Sequence, residues 1–280
     1  MSLQEAGREL ASTDLMFHRS VGMRYGNPKS VIVIPALKRP EMAALSLQRI
    51  KATPESPELD VRIFVDTTTD KVLSDFEYVR DTYYPEATIY HAREHVKAPS
   101  GCWNILNALK AGYDSGAELV FLIEEDVMVS KDYFNWSFEA HDDPDCFATC
   151  GRLRKEHSSD YYTNPGACFK SESLRSVVPY ITGGYFQNRR PYLDAAFGEL
   201  SEASDLDDGL IRRVIRKLGA KILYPETPKV AHQGFRFYNR APQFTVTGTI
   251  SEKIAALRVL LDQVSPLDRY SKDFEPCRPE

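Results

Sequence analysis

The stretch SVIVIPALKRPEMAALSLQRI, residues 30–50, changes its hydrophobic period partway along. Val31, Ile32, Val33 and Ile34 form a continuous β-branched run, the pattern of a strand covered on both faces. Pro35 ends the run, and Pro40 stands at a first helical position ahead of Met42, Leu45 and Ile50. The order is strand, loop, helix. Working outward, DVRIFVDTTTD (60–70) contains a second short buried strand at 61–65 that ends in Asp66, and ATIYHARE (87–94) a third. GCWNILNALKAGYDSG (101–116) has Trp103, Leu106 and Leu109 at helical spacing, with Gly112 or Gly116 near its end. AELVFLI (117–123) is a fourth strand, and it runs straight into Glu124, Glu125 and Asp126. Strands alternating with helices indicate an α/β fold, a mostly parallel sheet flanked by helices. Ligands of such sheets bind beyond the carboxyl ends of the strands, where Pro35, Asp66 and the three acids all fall.

The second half is less regular. DCFATCGRL (145–153) reads as a strand and GACFKSESLRSVVPYI (166–181) as a strand-to-helix unit, whereas 183–204 reads as a long loop with at most a short helix. In SDLDDGLIRRVIRKLG (204–219), Leu206, Leu210, Val214 and Leu218 align as one helical stripe, and Gly219 stops it. AKILYPE (220–226) and PKVAHQGF (228–235) are short strands, and ISEKIAALRVLLDQV (250–264) is an amphipathic helix with Ile250, Ile254, Leu257 and Leu261 aligned. Residues 1–30 form an entry segment without a strong period, and an extended tail follows Pro266.

Composition narrows the function classes. The 280 residues, 42% hydrophobic and 27% charged, are enough to bury a core without disulfides or structural metals. A net charge of -5 gives no overall reason to expect a nucleic-acid partner. The five cysteines include no CxxC pair, and Cys146 and Cys150 lack the companions of a zinc site, so free buried thiols and a reducing compartment are expected. The N-terminus is too polar for a signal peptide, and no apolar run approaches the ~18 residues of a membrane span. The expectation is a soluble cytoplasmic protein; the other reading is a soluble ectodomain cut from a membrane-anchored parent.

Three groups could carry chemistry. Adjacent acids at a strand end fit a solvated loop, caps for a following helix, or ligands of a hard divalent cation, which prefers oxygen and neutralises crowding. Asp207 and Asp208 suit the positive end of a helix, with Ser204 or Asp205 as the cap, yet two acids exceed what capping needs. Gly209 costs about 1 kcal/mol relative to Ala in a helix and points to close approach by a ligand. Asp208 lies off the stripe set by Leu206 and Leu210, so it can face a cleft. His232, at a strand end before Gly234, is either a structural histidine or a ligand; beside carboxylates it favours manganese.

VFLIEEDVMVSKDYF (120–134) resembles the Asp-x-Asp region of GT-A glycosyltransferases, in particular the inverting N-acetylglucosaminyltransferases that begin complex N-glycans. VIVIPALKRP is similar to their first strand and nucleotide loop, and VAHQGF to their metal-binding histidine before a glycine. DDGLIRRVIRKLG resembles both their Asp-Asp helix and the Glu-Asp-x-x-Leu-x-x-Arg element of family 2 transferases. The four elements occur in the family's order over residues 31–235. The resemblance implies a nucleotide-sugar half at 31–130, an acceptor half with a smaller mixed sheet at 131–235, and a lid loop, helix and tail at 236–280.

It also implies roles. Asp126 and His232 would hold Mn²⁺ (or Mg²⁺) on the diphosphate of a UDP-sugar donor. Asp66 would accept from uracil, with Pro35, Ala36 and Arg39 lining the base pocket. Glu125 would contact the ribose or the metal's water shell, and Glu124 adjoins the donor or faces water. Arg93, Lys97 and Asn104 would approach the donor. Asp208 would be the general base, with Asp207, Tyr185, Arg189, Arg236 and Arg240 as acceptor or lid residues. The acceptor is not implied: a glycan, a protein or another hydroxyl compound all fit. The triplet departs from the family's Glu-Asp-Asp by one methylene at its middle position. A sugar-nucleotide pyrophosphorylase would need glycines after the first strand, and PALKRPE has none. A glycoside hydrolase and a non-catalytic nucleotide- or carbohydrate-binding module are the remaining alternatives.

Overall fold

In the computed structural model, the described residues are 17–20, 29–66, 69–92, 101–152, 162–198, 200, 202–233 and 247–263. Ten strands are described: β1 (Phe17–Ser20), β2 (Ser30–Ala36), β3 (Leu59–Val65), β4 (Thr88–Ala92), β5 (Leu119–Leu122), β6 (Val127–Val129), β7 (Cys146–Cys150), β8 (Ala167–Lys170), β9 (Lys221–Leu223) and β10 (Val230–His232). The helices are α1 (Pro40–Lys51), α2 (Asp70–Tyr83), α3 (Cys102–Asp114), α4 (Tyr133–Ala140), α5 (Ser171–Arg175), α6 (Gly183–Gln187), α7 (Arg189–Phe197), α8 (Asp207–Leu218) and α9 (Ile250–Gln263).

Eight strands form one sheet in the order β1-β4-β3-β2-β5-β8-β7-β9, and β10 pairs with β6 in a small second sheet. The run β4-β3-β2-β5 is parallel throughout, and β7 is parallel to β9; β1 against β4, β5 against β8 and β8 against β7 are antiparallel. The expected α/β fold is present, and its second, smaller sheet is antiparallel.

The uninterrupted apolar run of β2 follows from its central place. Val31 and Val33 pack on one face with Leu106 and Leu109 of α3, while Ile32 and Ile34 pack on the other with Ala43, Leu47 and Ile50 of α1. Pro35 does not end the strand, as its ring would suggest, but stands inside it opposite Phe64 of β3. Val33 accepts from the amide of Ile123 and so faces β5; Pro35, two residues on, faces the same side where β5 has already stopped. Its missing amide hydrogen therefore costs no ladder bond.

Two expectations need correcting. The 183–204 stretch holds α6 and α7 rather than a long loop. Thr182 caps α6 by accepting from the Tyr185 amide, and Pro191 sits in the first turn of α7, where its lack of an amide hydrogen is tolerated. In the entry segment, β1 adds an antiparallel edge strand to β4. At the other end of the chain α9 packs on α1, with Leu257 against Met42, Leu45, Met128 and Ala231. No described helix is long and apolar enough to cross a membrane.

Candidate functional site

Strand β5 delivers the acids to the carboxyl edge of the parallel run. The chain turns over Glu124–Asp126, where the Val127 amide bonds the Glu124 carbonyl at 2.9 Å, and then enters β6. Pairing of β6 with β10 sets Val127 opposite His232, and the Gln233 amide bonds the Asp126 carbonyl at 2.9 Å. Backbone pairing thus carries a histidine more than a hundred residues distant to the acids. His232 Nε2 lies 3.2 Å from Asp126 Oδ1, and one ligand atom each from Glu124, Asp126 and His232 all lie within 4.8 Å of one another.

On the other side of the acids stands Arg39, just before α1. Its Nε is 2.5 Å from Glu125 Oε1 and its Nη1 is 2.6 Å from Asp126 Oδ2. The Leu37 amide donates to Glu125 Oε2 at 2.7 Å, so both Glu125 oxygens are engaged by the loop after β2. Arg39 thus grips the acids, and Glu125 is a buried anchor; Glu124, half-buried, is the acid that joins Asp126 and His232.

The electrostatics express the crowding. Burial, reinforced by the Asp126 charge, pushes the Glu124 carboxyl up to about 7. Burial also pushes Glu125 up, against the pull of Arg39. Burial opposes ionisation of Asp126, but the contacts with His232 and Arg39 outweigh it and hold that carboxyl below its usual range. For His232, burial disfavours the imidazolium, yet contact with Asp126 raises its pKa overall. Two carboxylates and an imidazole converging on one point are a donor set that suits a divalent cation, manganese in particular. Asp126 Oδ1, buried and without an aligned hydrogen bond, is open to such a cation. The set fits Mn²⁺.

The two acids of α8 part company. The buried face of the helix runs through Asp207, Leu210, Ile211, Val214 and Ile215, and Leu218 is 53% exposed. The sequence stripe is therefore one residue out of phase, and Asp207 rather than Asp208 turns inward. Asp208 accepts from Ser204 Oγ at 2.7 Å and from the Gly209 amide at 2.8 Å, and pairs with Arg212 at 2.8 Å. It anchors the helix end, with its side chain 26% exposed. Asp207 is 3% exposed and accepts from Asn164 Nδ2. Burial, opposed by that hydrogen bond and reinforced by the Asp208 charge, pushes its carboxyl up to about 6. Asp207 is close enough to Glu124 for its charge to raise the Glu124 pKa.

Gly209 makes room for the chain itself rather than for a ligand: a Cβ there would collide with the Ser204 carbonyl. That loop is held by arginines. Arg213, 1% exposed, donates to the Ser204 carbonyl at 2.7 Å and the Glu202 carbonyl at 3.0 Å, and Arg190 donates to the Glu202 and Ala203 carbonyls at 2.7 and 2.6 Å.

The remaining expected residues are distributed as follows. Asp66 is buried just past the end of β3, its amide bonding the Ala36 carbonyl at 2.9 Å. Asn104 spends its amide hydrogens on the carbonyls of Ala36 and Phe64, at 3.0 and 2.8 Å, and so ties β2 to β3 at the site edge. Tyr185 is fully buried, its hydroxyl on the Asp205 carbonyl at 3.0 Å, and Arg189 lies 3.6 Å from Asp205. Tyr185 braces the approach to α8 rather than offering an acceptor surface, whereas Arg189 keeps 20% of its side chain exposed. Arg93, Lys97, Arg236 and Arg240 lie outside the described residues. Asn164 went unread in the sequence, because nothing local ties it to an acid 43 residues away. The four described cysteines are free and buried, with thiol pKa values raised first of all by burial.

No protein-family model matches the chain, and no curated protein does. Among solved structures it is similar to the mannosyltransferase PcManGT from Pyrobaculum calidifontis, in complex with GDP-Man and Mn²⁺, at 14% identity over 85% of this chain and 76% of that one, TM-score 0.48. It is also similar to S. aureus TarS 1-349, at 15% identity over 82% of this chain and 65% of that one, TM-score 0.49. With TarS 1-349 in complex with UDP-GlcNAc the identity is 13% over 88% and 68% of the two chains, TM-score 0.47. The chain thus spans about two thirds of TarS 1-349. Likenesses of this size leave the activity to be read from the site itself.

Proposed function

We propose that the chain is a metal-dependent inverting glycosyltransferase of the GT-A type, transferring a sugar from a UDP-sugar to an acceptor hydroxyl. The observation that carries this reading is the convergence of Glu124, Asp126 and His232 at the carboxyl edge of the parallel strands, with the buried Asp207 carboxyl near enough for its charge to act on Glu124. Glu124, Asp126 and His232 would hold Mn²⁺, which as a Lewis acid would stabilise the leaving nucleoside diphosphate. Asp66, just past the end of β3, would accept from the base of the donor.

Asp207 takes the role of general base in place of Asp208. With its pKa near 6, it is ionised at neutral pH yet more basic than an ordinary aspartate, the compromise general-base catalysis favours. Asn164 holds one oxygen of that carboxylate, and Asp207 would take the proton of an acceptor hydroxyl as the hydroxyl oxygen attacks the anomeric carbon. A single displacement with no enzyme-bound sugar inverts the configuration. Asp208, Arg212, Arg213 and Arg190 hold the loop and helix end that aim Asp207. The test is release of nucleoside diphosphate from a panel of UDP- and GDP-sugars with Mn²⁺ and a mixed acceptor pool. Wild type should turn over at least one donor, and Asp207→Asn should bind that donor without transferring. No release from any donor, together with no donor binding, rejects the reading.

A further inference from the structure

We propose that Arg39 is a specificity-determining residue for the cation, holding the Asp126 carboxylate so that it offers one oxygen and not two. The inference rests on Glu124, Asp126 and His232 forming a cation site. The guanidinium of Arg39 spans two adjacent carboxylates, with Nε on Glu125 Oε1 at 2.5 Å and Nη1 on Asp126 Oδ2 at 2.6 Å. Glu125 cannot drift, because the Leu37 amide holds its other oxygen at 2.7 Å and its side chain is 1% exposed. Asp126 is fixed at its backbone too, where Gln233 bonds its carbonyl. Oδ2 is therefore committed to Arg39, and Oδ1, facing His232 at 3.2 Å, is the oxygen left for a ligand.

This arrangement discriminates among cations by coordination habit. Ca²⁺ collects about 6–8 oxygens and often takes both oxygens of a carboxylate, whereas smaller octahedral ions accept single oxygens. Imidazole ligation further favours a transition metal. Chelation by both Asp126 oxygens would require Arg39 to let go of Oδ2, leaving a buried ion pair broken on its cationic side, a costly change. Lysine cannot reproduce the device, because an ammonium is a point charge where the guanidinium is a planar fork.

The experiment measures affinities for Mn²⁺ alone and Ca²⁺ alone, without nucleotide. Free Mn²⁺ is read by electron paramagnetic resonance, and Ca²⁺ by competition, for wild type, Arg39→Lys and Arg39→Gln, each checked by thermal unfolding. Wild type should prefer Mn²⁺, and in the variants that preference should fall, with Mn²⁺ affinity itself reduced on the order of tenfold, as for other outer-sphere partners of ligands. Because both ions are divalent, the ratio cancels the effect of the charge lost in Arg39→Gln, and Arg39→Lys keeps that charge. An unchanged ratio in a folded variant overturns the assignment of Arg39 while leaving the cation site standing. Equal affinity of wild type for the two ions overturns it without recourse to any variant. Absence of Mn²⁺ binding to wild type overturns both this inference and the metal-dependent function.

Discussion

Replacing Asp207 by Asn should make the protein more stable and less active at once. The carboxyl of Asp207, ordinarily near 3.8, is held at about 6, chiefly by burial. That gap of about two pH units, at roughly 1.4 kcal/mol each, means that keeping Asp207 ionised in the fold costs about 3 kcal/mol. The direction follows from linkage. Below pH 3.8 the group is protonated in both the folded and unfolded chain, and the cost is absent. Between 3.8 and 6 the unfolded chain gives up the proton first, so the folded state loses ground as pH rises. Above 6 both states are ionised and the full cost remains. Asn cannot ionise, yet its side-chain oxygen still accepts from Asn164. Urea unfolding followed by circular dichroism should therefore show Asp207→Asn more stable than wild type by up to about 3 kcal/mol at pH 8, with the difference gone near pH 4. In a transfer assay with a working donor, the same variant should lose about 10²- to 10⁴-fold in rate. A variant less stable than wild type at pH 8 would refute the burial argument, and one that keeps its turnover would refute the role.

Other expected outcomes follow from neighbouring contacts. Asp208→Asn gives up the Arg212 pair, costing on the order of 1 kcal/mol in chemical denaturation, and retains transfer; loss of transfer there but not in Asp207→Asn would reverse the assignment of the base. Gly209→Ala pushes a methyl into the Ser204 carbonyl and should destabilise by about 1–3 kcal/mol in the same denaturation assay. Ligation requires deprotonated carboxylates and imidazole, so Mn²⁺ affinity measured by titration calorimetry should fall as pH drops through 7. Glu124, at about 7, alone accounts for roughly tenfold between pH 8 and 6, and His232, with its raised pKa, adds to the loss.

What is legible in the sequence is what has a local cause. Central strands covered on both faces tend to be continuously apolar, so β2 and β5 stand out, with β3 apolar over Ile63–Val65 after Asp60 and Arg62, and the acids after β5 are conspicuous because they follow such a run. Helix α2 is harder to see, since among its residues only Phe76 and Val79 are fully covered. The inward face of α8 misleads for a definite reason: Leu206 and Leu218 look like core and are half-buried and exposed, while Asp207 and the buried Arg213 look like surface. Period alone cannot distinguish an apolar residue left in water from a charged one given partners inside. The Arg39–Glu125 and Asn164–Asp207 contacts join residues 86 and 43 positions apart, and no spacing rule connects them. His232 belongs with them, except that a histidine at the end of a short strand is itself a visible signal.

The most direct test of the central claim is titration calorimetry of wild type and Asp126→Ala with UDP-sugars, each with and without Mn²⁺. The site described predicts binding by wild type only when Mn²⁺ is present, and none by Asp126→Ala under either condition. Donor binding that is indifferent to Mn²⁺, or that survives loss of the Asp126 carboxylate unchanged, would contradict it.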